Sequence, residues 1–163
     1  MSIDQRAGGL AEDPDLDGAG LRIAIITARF NSAITFALLE GAKAGLVECK
    51  VDPTDVHEFL TPGSFELPVA AKVAAASGKF DAVIALGCVI RGETAHFDFV
   101  AGESARGLQD AQIETGVPCI FGVLTTNTVE QAEARAVEGR DNKGREAGLA
   151  AVEMALLIRT LTA

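Results

Sequence analysis

Four short apolar runs, each followed by a stretch with helical spacing, organise the chain. Residues 21–27 (LRIAIIT) are rich in isoleucine and predict a buried strand. Ile34, Leu38, Ala42 and Gly45 then recur on one face of a 3.6-residue period, which predicts a helix over 33–46 capped by Asn31 or Ser32. Residues 56–60 read as a second strand, ended by Thr61-Pro62-Gly63. Ser64 opens a helix through Ala76, with Glu66 and Pro68 in or near a first turn that tolerates both. Residues 81–88 predict a third strand, 89–95 a loop, 96–113 a helix and 118–124 a fourth strand. Thr128-x-x-Gln131 is a capping box for a helix to 138; residues 139–144 interrupt, and a last helix runs to 160.

Strands separated by helices pair in parallel through crossovers, so the expected class is α/β. The architecture is three-layer αβα, a four-stranded, mainly parallel sheet with helices on both faces. Such sheets bind ligands beyond the carboxyl ends of their strands. The residues that break the apolar pattern fall there: Arg29-Phe30-Asn31 after the first strand, Pro62-Gly63-Ser64-Phe65-Glu66 after the second, Arg91-Gly92-Glu93-Thr94-Ala95-His96 after the third and Thr125-Thr126-Asn127 after the fourth. Their convergence on one edge of the sheet predicts a small-molecule site.

Composition narrows the partners. With 163 residues, 48% hydrophobic and 23% charged, the chain suits one packed domain over 21–163. Residues 1–20, rich in Asp, Glu and Gly, predict a flexible tail without the apolar stretch of a signal peptide. Fourteen Lys and Arg against 23 Asp and Glu give a net charge of -9, which argues against nucleic acid as a partner. An anionic ligand then depends on a few local donors rather than on a general positive field. The longest apolar run, 82–90, is too short to span a bilayer, so no membrane role is expected. Cys49, Cys88 and Cys119 are odd in number and widely spaced, matching neither a disulfide framework nor a metal site, and a cytoplasmic setting is expected.

Several residues admit a chemical and a plain reading. Gly92-Glu93-Thr94 suits an anion, because glycine lets the backbone approach and a helix start offers amides; equally, Thr94 only caps its helix. His96 stands at a helix start, where the dipole disfavours imidazolium and leaves a neutral ring for proton transfer; a lone histidine is also a common surface residue. His57 lies within a strand without chemical neighbours and reads as structural. Arg135 and Lys143 are the cations best placed to complement an anion. With no Trp or Tyr in the chain, Phe30 and Phe65 are the aromatics placed to stack on a flat ring, core packing being the alternative. Glu66 serves either a ligand or its own helix start.

The strings Ala28-Arg29-Phe30-Asn31, Pro62-Gly63-Ser64-Phe65-Glu66-Leu67-Pro68 and Gly87-Cys88-Val89-Ile90-Arg91-Gly92-Glu93-Thr94-Ala95-His96-Phe97-Asp98 resemble the lumazine synthase family. So do Phe121-Gly122-Val123-Leu124-Thr125-Thr126-Asn127-Thr128-Val129-Glu130-Gln131-Ala132 and Asn142-Lys143-Gly144, in the family's order and spacing from about Leu21 onward. The resemblance implies a flavodoxin-like fold and a reaction without cofactor or metal. In it, 5-amino-6-ribitylaminouracil condenses with 3,4-dihydroxy-2-butanone 4-phosphate to give dimethyl-ribityllumazine and phosphate. It implies that Phe30 stacks on the pyrimidine and that Ser64, Phe65, Glu66, Cys88, Val89 and Ile90 hold the ring and its ribityl chain. Phe121 would line the same pocket, Lys143 would fix the substrate, and Glu93, Thr94 and Arg135 would bind the phosphate. His96 would be the proton donor and acceptor.

The resemblance also implies a ring of five subunits with sites at subunit boundaries, a 60-subunit shell as the larger alternative, and riboflavin synthase as a candidate partner. Between Arg135 and Asn142, where many members carry a Gly-Thr-Lys type loop, this chain has Ala136-Val137-Glu138-Gly139-Arg140-Asp141. Loop length is kept and its chemistry changed, which bears on assembly rather than catalysis. Two other readings stand beside this one. An archaeal-type riboflavin synthase would bind the lumazine product, but the complete Gly-Glu-Thr-Ala-His stretch with Arg135 favours a phosphate-bearing substrate. A flavin carrier or shell protein without turnover would have no use for His96.

Overall fold

The computed structural model describes residues 15–163. Four strands, β1 (Ile23–Ala28), β2 (Val56–Thr61), β3 (Ala82–Ile90) and β4 (Cys119–Thr126), form one sheet in the order β2-β1-β3-β4 with every pair parallel. Five α-helices connect and cover them: α1 (Ser32–Glu48), α2 (Leu67–Ala76), α3 (His96–Thr115), α4 (Val129–Ala136) and α5 (Lys143–Thr162). The expected α/β three-layer architecture is therefore present, with an all-parallel sheet.

The elements follow from local chemistry. Ile34, Leu38, Ala42 and Gly45 are all buried along α1, as their spacing predicts. The helix expected to open at Ser64 starts as one 3-10 turn, Ser64–Glu66, and becomes α-helical at Leu67. Pro68, one residue into α2, lacks the amide that a helix start leaves unpaired anyway. The capping box at α4 is made: the Thr128 hydroxyl accepts from the Gln131 amide at 3.1 Å, while the Gln131 side chain accepts from Asn127, one residue earlier than the usual partner, at 2.8 Å. β3 runs to Ile90 rather than Cys88, because β4 extends to Thr126 and continues to pair with it.

The two sheet faces carry separate cores. Ile23, Ile25, Ile84 and Leu86 point toward α1, α4 and α5, and Ala24, Ile26, Val83 and Ala85 toward α2 and α3. On the first face α1 and α5 approach backbone to backbone. A Cβ on Gly144 would lie 1.8 Å from the Leu38 carbonyl oxygen, so only glycine fits there. Asn142, buried and capping α5, accepts from the Gly144 and Arg145 amides and donates to the Ala136 and Val137 carbonyls, which fixes the α4–α5 turn. β2 is one of the two edge strands, with Phe59 and Leu60 exposed. His57 on that strand packs edge-on against Phe80, ring centroids 5.5 Å apart.

Residues 1–14 of the expected tail lie outside the described residues. Of the remainder, Leu16 packs against the larger core and Gly18 donates to the Cys49 carbonyl at 2.7 Å.

Candidate active site

Strand order decides where a ligand can sit. The chain leaves β1 through α1 on one face and leaves β3 through α3 on the other, so the connections after these adjacent strands diverge. Diverging connections open a crevice at the carboxyl ends of the strands. A cleft of about 790 Å³ lies there, a size that accommodates a small organic ligand. Phe30, Ser64, Phe65, Glu66, Cys88, Val89, Ile90, Thr94 and His96 all line it. The structure thus brings together nine residues singled out from sequence.

Each wall is built by an identifiable interaction. Ser64 is buried against β3, where Gly87 makes room: a Cβ on Gly87 would lie 2.3 Å from the Ser64 hydroxyl. Ser104 of α3 donates toward the Ser64 carbonyl at 2.9 Å, tying the helix that starts at His96 to the Ser64–Glu66 turn. The Glu66 carboxylate accepts the Gly63 amide at 3.0 Å, so its structural reading is realised. That bond leaves the carboxylate with further lone pairs for a ligand. Phe30 and Phe65 are 72% and 57% exposed, which excludes core packing as the reason for their position. Cys88 is buried, and burial pushes its thiol up to about 11, so the neutral thiol prevails at pH 7 and gives no nucleophile.

The loop after β3 is exposed. The Thr94 hydroxyl accepts from the His96 amide two residues on at 3.4 Å, but Ala95 precedes α3 and no side chain caps the helix; the hydroxyl keeps its proton for an additional acceptor. Gly92 joins the lining, and Glu93 does not. Arg91, which sequence reasoning left without a role, organises this loop. Its guanidinium lies 4.3 Å from the Phe97 ring centroid, donates to Asn127 at 3.1 Å and approaches Asp98 at 3.5 Å. It therefore links the loop before α3 to the loop before α4.

Phe121, Arg135 and Lys143 do not join the cleft of their own chain. Phe121 sits mid-strand on β4, 45% exposed. Arg135 ends α4 and donates to the Gln131 carbonyl at 2.8 Å, and Lys143 begins α5 and pairs with Glu146 at 2.6 Å. A second hollow, of about 720 Å³, lies between α1 and the α4–α5 turn, where Arg145 is neutralised by Glu48 at 2.7 Å. It lacks the aromatic and small polar groups of the cleft.

An all-parallel α/β sheet with a switch-point crevice, lined by two exposed phenylalanines and a helix-start histidine, defines an α/β protein with a cleft of small-molecule size. The chain matches the family model described as 6,7-dimethyl-8-ribityllumazine synthase over residues 20–159, and it belongs to that family. Membership places it among the transferase-type enzymes of riboflavin biosynthesis. Among the described residues, no helix is long and apolar enough to cross a membrane.

Proposed function

We propose that the chain condenses 5-amino-6-(D-ribitylamino)uracil with 3,4-dihydroxy-2-butanone 4-phosphate in the cytoplasm. The products are 6,7-dimethyl-8-ribityllumazine, phosphate and two waters. The observation that carries this reading is the cleft itself, in which Phe30, Phe65 and His96 surround one space at the strand ends.

Phe30 stacks on the pyrimidine, while Ser64, Phe65 and Glu66 and the Cys88–Val89–Ile90 strand end hold the ring and ribityl chain. Thr94, with the main chain at Glu93 rather than its carboxylate, receives the phosphate at the start of α3, where helix amides favour an anion. The substrate's own amine attacks the ketone and expels water to form an imine. Loss of the proton on the hydroxyl-bearing carbon then expels phosphate with its bonding electrons and leaves an enol. The enol tautomerises to a new carbonyl, and the ribitylamino nitrogen closes the ring on that carbonyl with loss of a second water. His96 moves the protons between these steps. Because the attacking nitrogen belongs to the substrate, the enzyme needs no nucleophile of its own, and the protonated Cys88 thiol agrees with that. Holding two reactants together and anchoring the leaving group supply the acceleration.

Phe121, Arg135 and Lys143 serve the cleft of a neighbouring copy in a ring of five, with Arg135 on its phosphate. Their placement away from their own cleft supports this division, as do the exposed Phe30 and Phe65. Whether such rings build a 60-subunit shell, and whether riboflavin synthase is enclosed, depends on the altered 136–141 loop.

Mixing the purified protein with both substrates tests the reaction: lumazine fluorescence and free phosphate are expected to rise in equal amounts. Tight flavin binding without turnover would assign the chain to a carrier or shell role instead.

A further inference from the structure

Asn31 occupies the position before α1 where an asparagine ordinarily accepts a hydrogen bond from the helix's own first amides. Its side chain makes no such bond. The residue adopts a left-handed conformation, φ 60° and ψ 46°, and its backbone carbonyl alone receives the Ile34 and Thr35 amides, each at 3.0 Å. The side-chain amide turns away and donates to the Cys88 carbonyl at 2.8 Å, across 57 residues of sequence. A local rule is broken for a long-range bond, which in folded proteins points to a functional constraint.

The sheet explains why that bond is needed. Pairing between β1 and β3 ends at Thr27–Leu86, two residues short of Cys88. Beyond it β1 veers toward β2: Arg29 donates to the Thr61 carbonyl at 2.9 Å and Phe30 to the Pro62 carbonyl at 3.1 Å. β3 meanwhile continues to Ile90. β1 thus supplies no backbone donor to the Cys88 carbonyl, and the Asn31 amide supplies one. The Phe30 loop is held at both ends, by β2 through its backbone and by β3 through Asn31.

We infer that Asn31 is a positioning residue, a latch that holds the exposed Phe30 ring at a fixed distance from the Cys88–Val89–Ile90 wall and so sets the width of the slot for a flat ring. This deepens the proposed function and rests on it for the identity of the ring. Asn31 is not itself a catalytic residue, because its amide is spent on protein.

Three substitutions separate the latch from mere tolerance of the left-handed backbone. Glycine is the most permissive residue there, Asp keeps the size of Asn without a donor, and His tolerates the conformation while retaining an N–H. Titration with 6,7-dimethyl-8-ribityllumazine is expected to show Asn31→Gly and Asn31→Asp weakened about three- to tenfold, the worth of one net hydrogen bond. Asn31→His is expected to bind like the wild type. If Asn31 only satisfies the backbone, Asn31→Gly binds as well as the wild type, and the latch is overturned.

A ligand-free readout keeps this separate from the functional reading. The chain has no Trp, so Phe30→Trp places a single reporter on the loop. In that background Asn31→Gly is expected to increase the fast component of the fluorescence anisotropy decay, and Asn31→His to leave it unchanged. Equal decays in all three would overturn the latch whatever the ligand. Wild-type protein that binds no lumazine would overturn the functional reading, and the anisotropy comparison would still decide the latch.

Discussion

The sheet face under α1, α4 and α5 holds the larger apolar core, and its helices meet so closely that Gly144 has no room for a methyl group. The face under α2 and α3 holds a smaller core built largely from alanine. Its elements leave Phe65 and Phe99 exposed in the cleft, and Val69, Val73 and Phe121 exposed outside it. Large apolar side chains are exposed on α1, α4 and α5 as well, but the cleft opens beside the α2–α3 face, and exposed phenylalanines lining a cleft mark a surface that meets something. The difference separates two tasks: the closed face supplies stability within one chain, and the open face carries chemistry that a second copy completes under the proposed shared site.

The largest effect is expected on the closed face. Gly144→Ala improves helix propensity by up to about 1 kcal/mol. Its methyl group, however, lands on the Leu38 carbonyl and forces α1 and α5 apart. Overpacking of this kind costs about 1–3 kcal/mol or somewhat more, so net destabilisation by about 2 kcal/mol is expected in chemical denaturation. An unchanged midpoint would show that the closed face is looser than described.

Arg135 lies on α4 but under the proposed shared site serves a neighbouring copy's cleft, and Arg135→Ala is expected to raise the KM of the sugar phosphate about tenfold or more, by loss of a charge-assisted contact. Pyrimidine affinity should change little. Calorimetric titration checks both; lost pyrimidine binding with unchanged sugar-phosphate affinity would reassign the residue.

The effect that vanishes at neutral pH concerns two thiols facing opposite cores. Burial raises the Cys88 and Cys119 thiols from 9.0 to about 11. A folded value above the unfolded one in an acid means that the unfolded chain releases its proton first. Stability is therefore unaffected below about pH 9 and falls as pH rises from 9 to 11. Cys119→Ala is expected to flatten that fall in urea midpoints measured across the interval, and an equally steep fall would contradict the assignment.

Much of this was legible in the sequence. Helical and strand periods were strong because every helix packs one face on a sheet, so the order of elements and the parallel class followed. The strand-end strings converged on one cleft, since a parallel sheet places all its carboxyl ends together. What escaped had no local signal. Arg91 and Asn31 act through partners 36 and 57 residues away, and a capping residue at a helix start looks the same whether it caps or latches. The edge position of β2 had a partial signal, because His57 and Glu58 interrupt its apolar run where the central strands β1 and β3 carry no such residues. Phe121 and Lys143 lie in the family strings and Arg135 lies between two of them, yet their separation from the cleft emerges only from the folded chain.

Subunit mixing tests the shared site most directly. His96→Ala is expected to slow turnover by about 10²-fold or less on its own, and Arg135→Ala to weaken the phosphate substrate. Equal amounts of the two variants, unfolded together and co-assembled, give by random pairing about a quarter of sites with both residues intact, if those residues come from different chains. Activity well above that of either parent assembly is the expected result. Mixed assemblies confirmed by native mass spectrometry, with activity no higher than the mean of the two parents, would place both residues in one subunit and contradict the account.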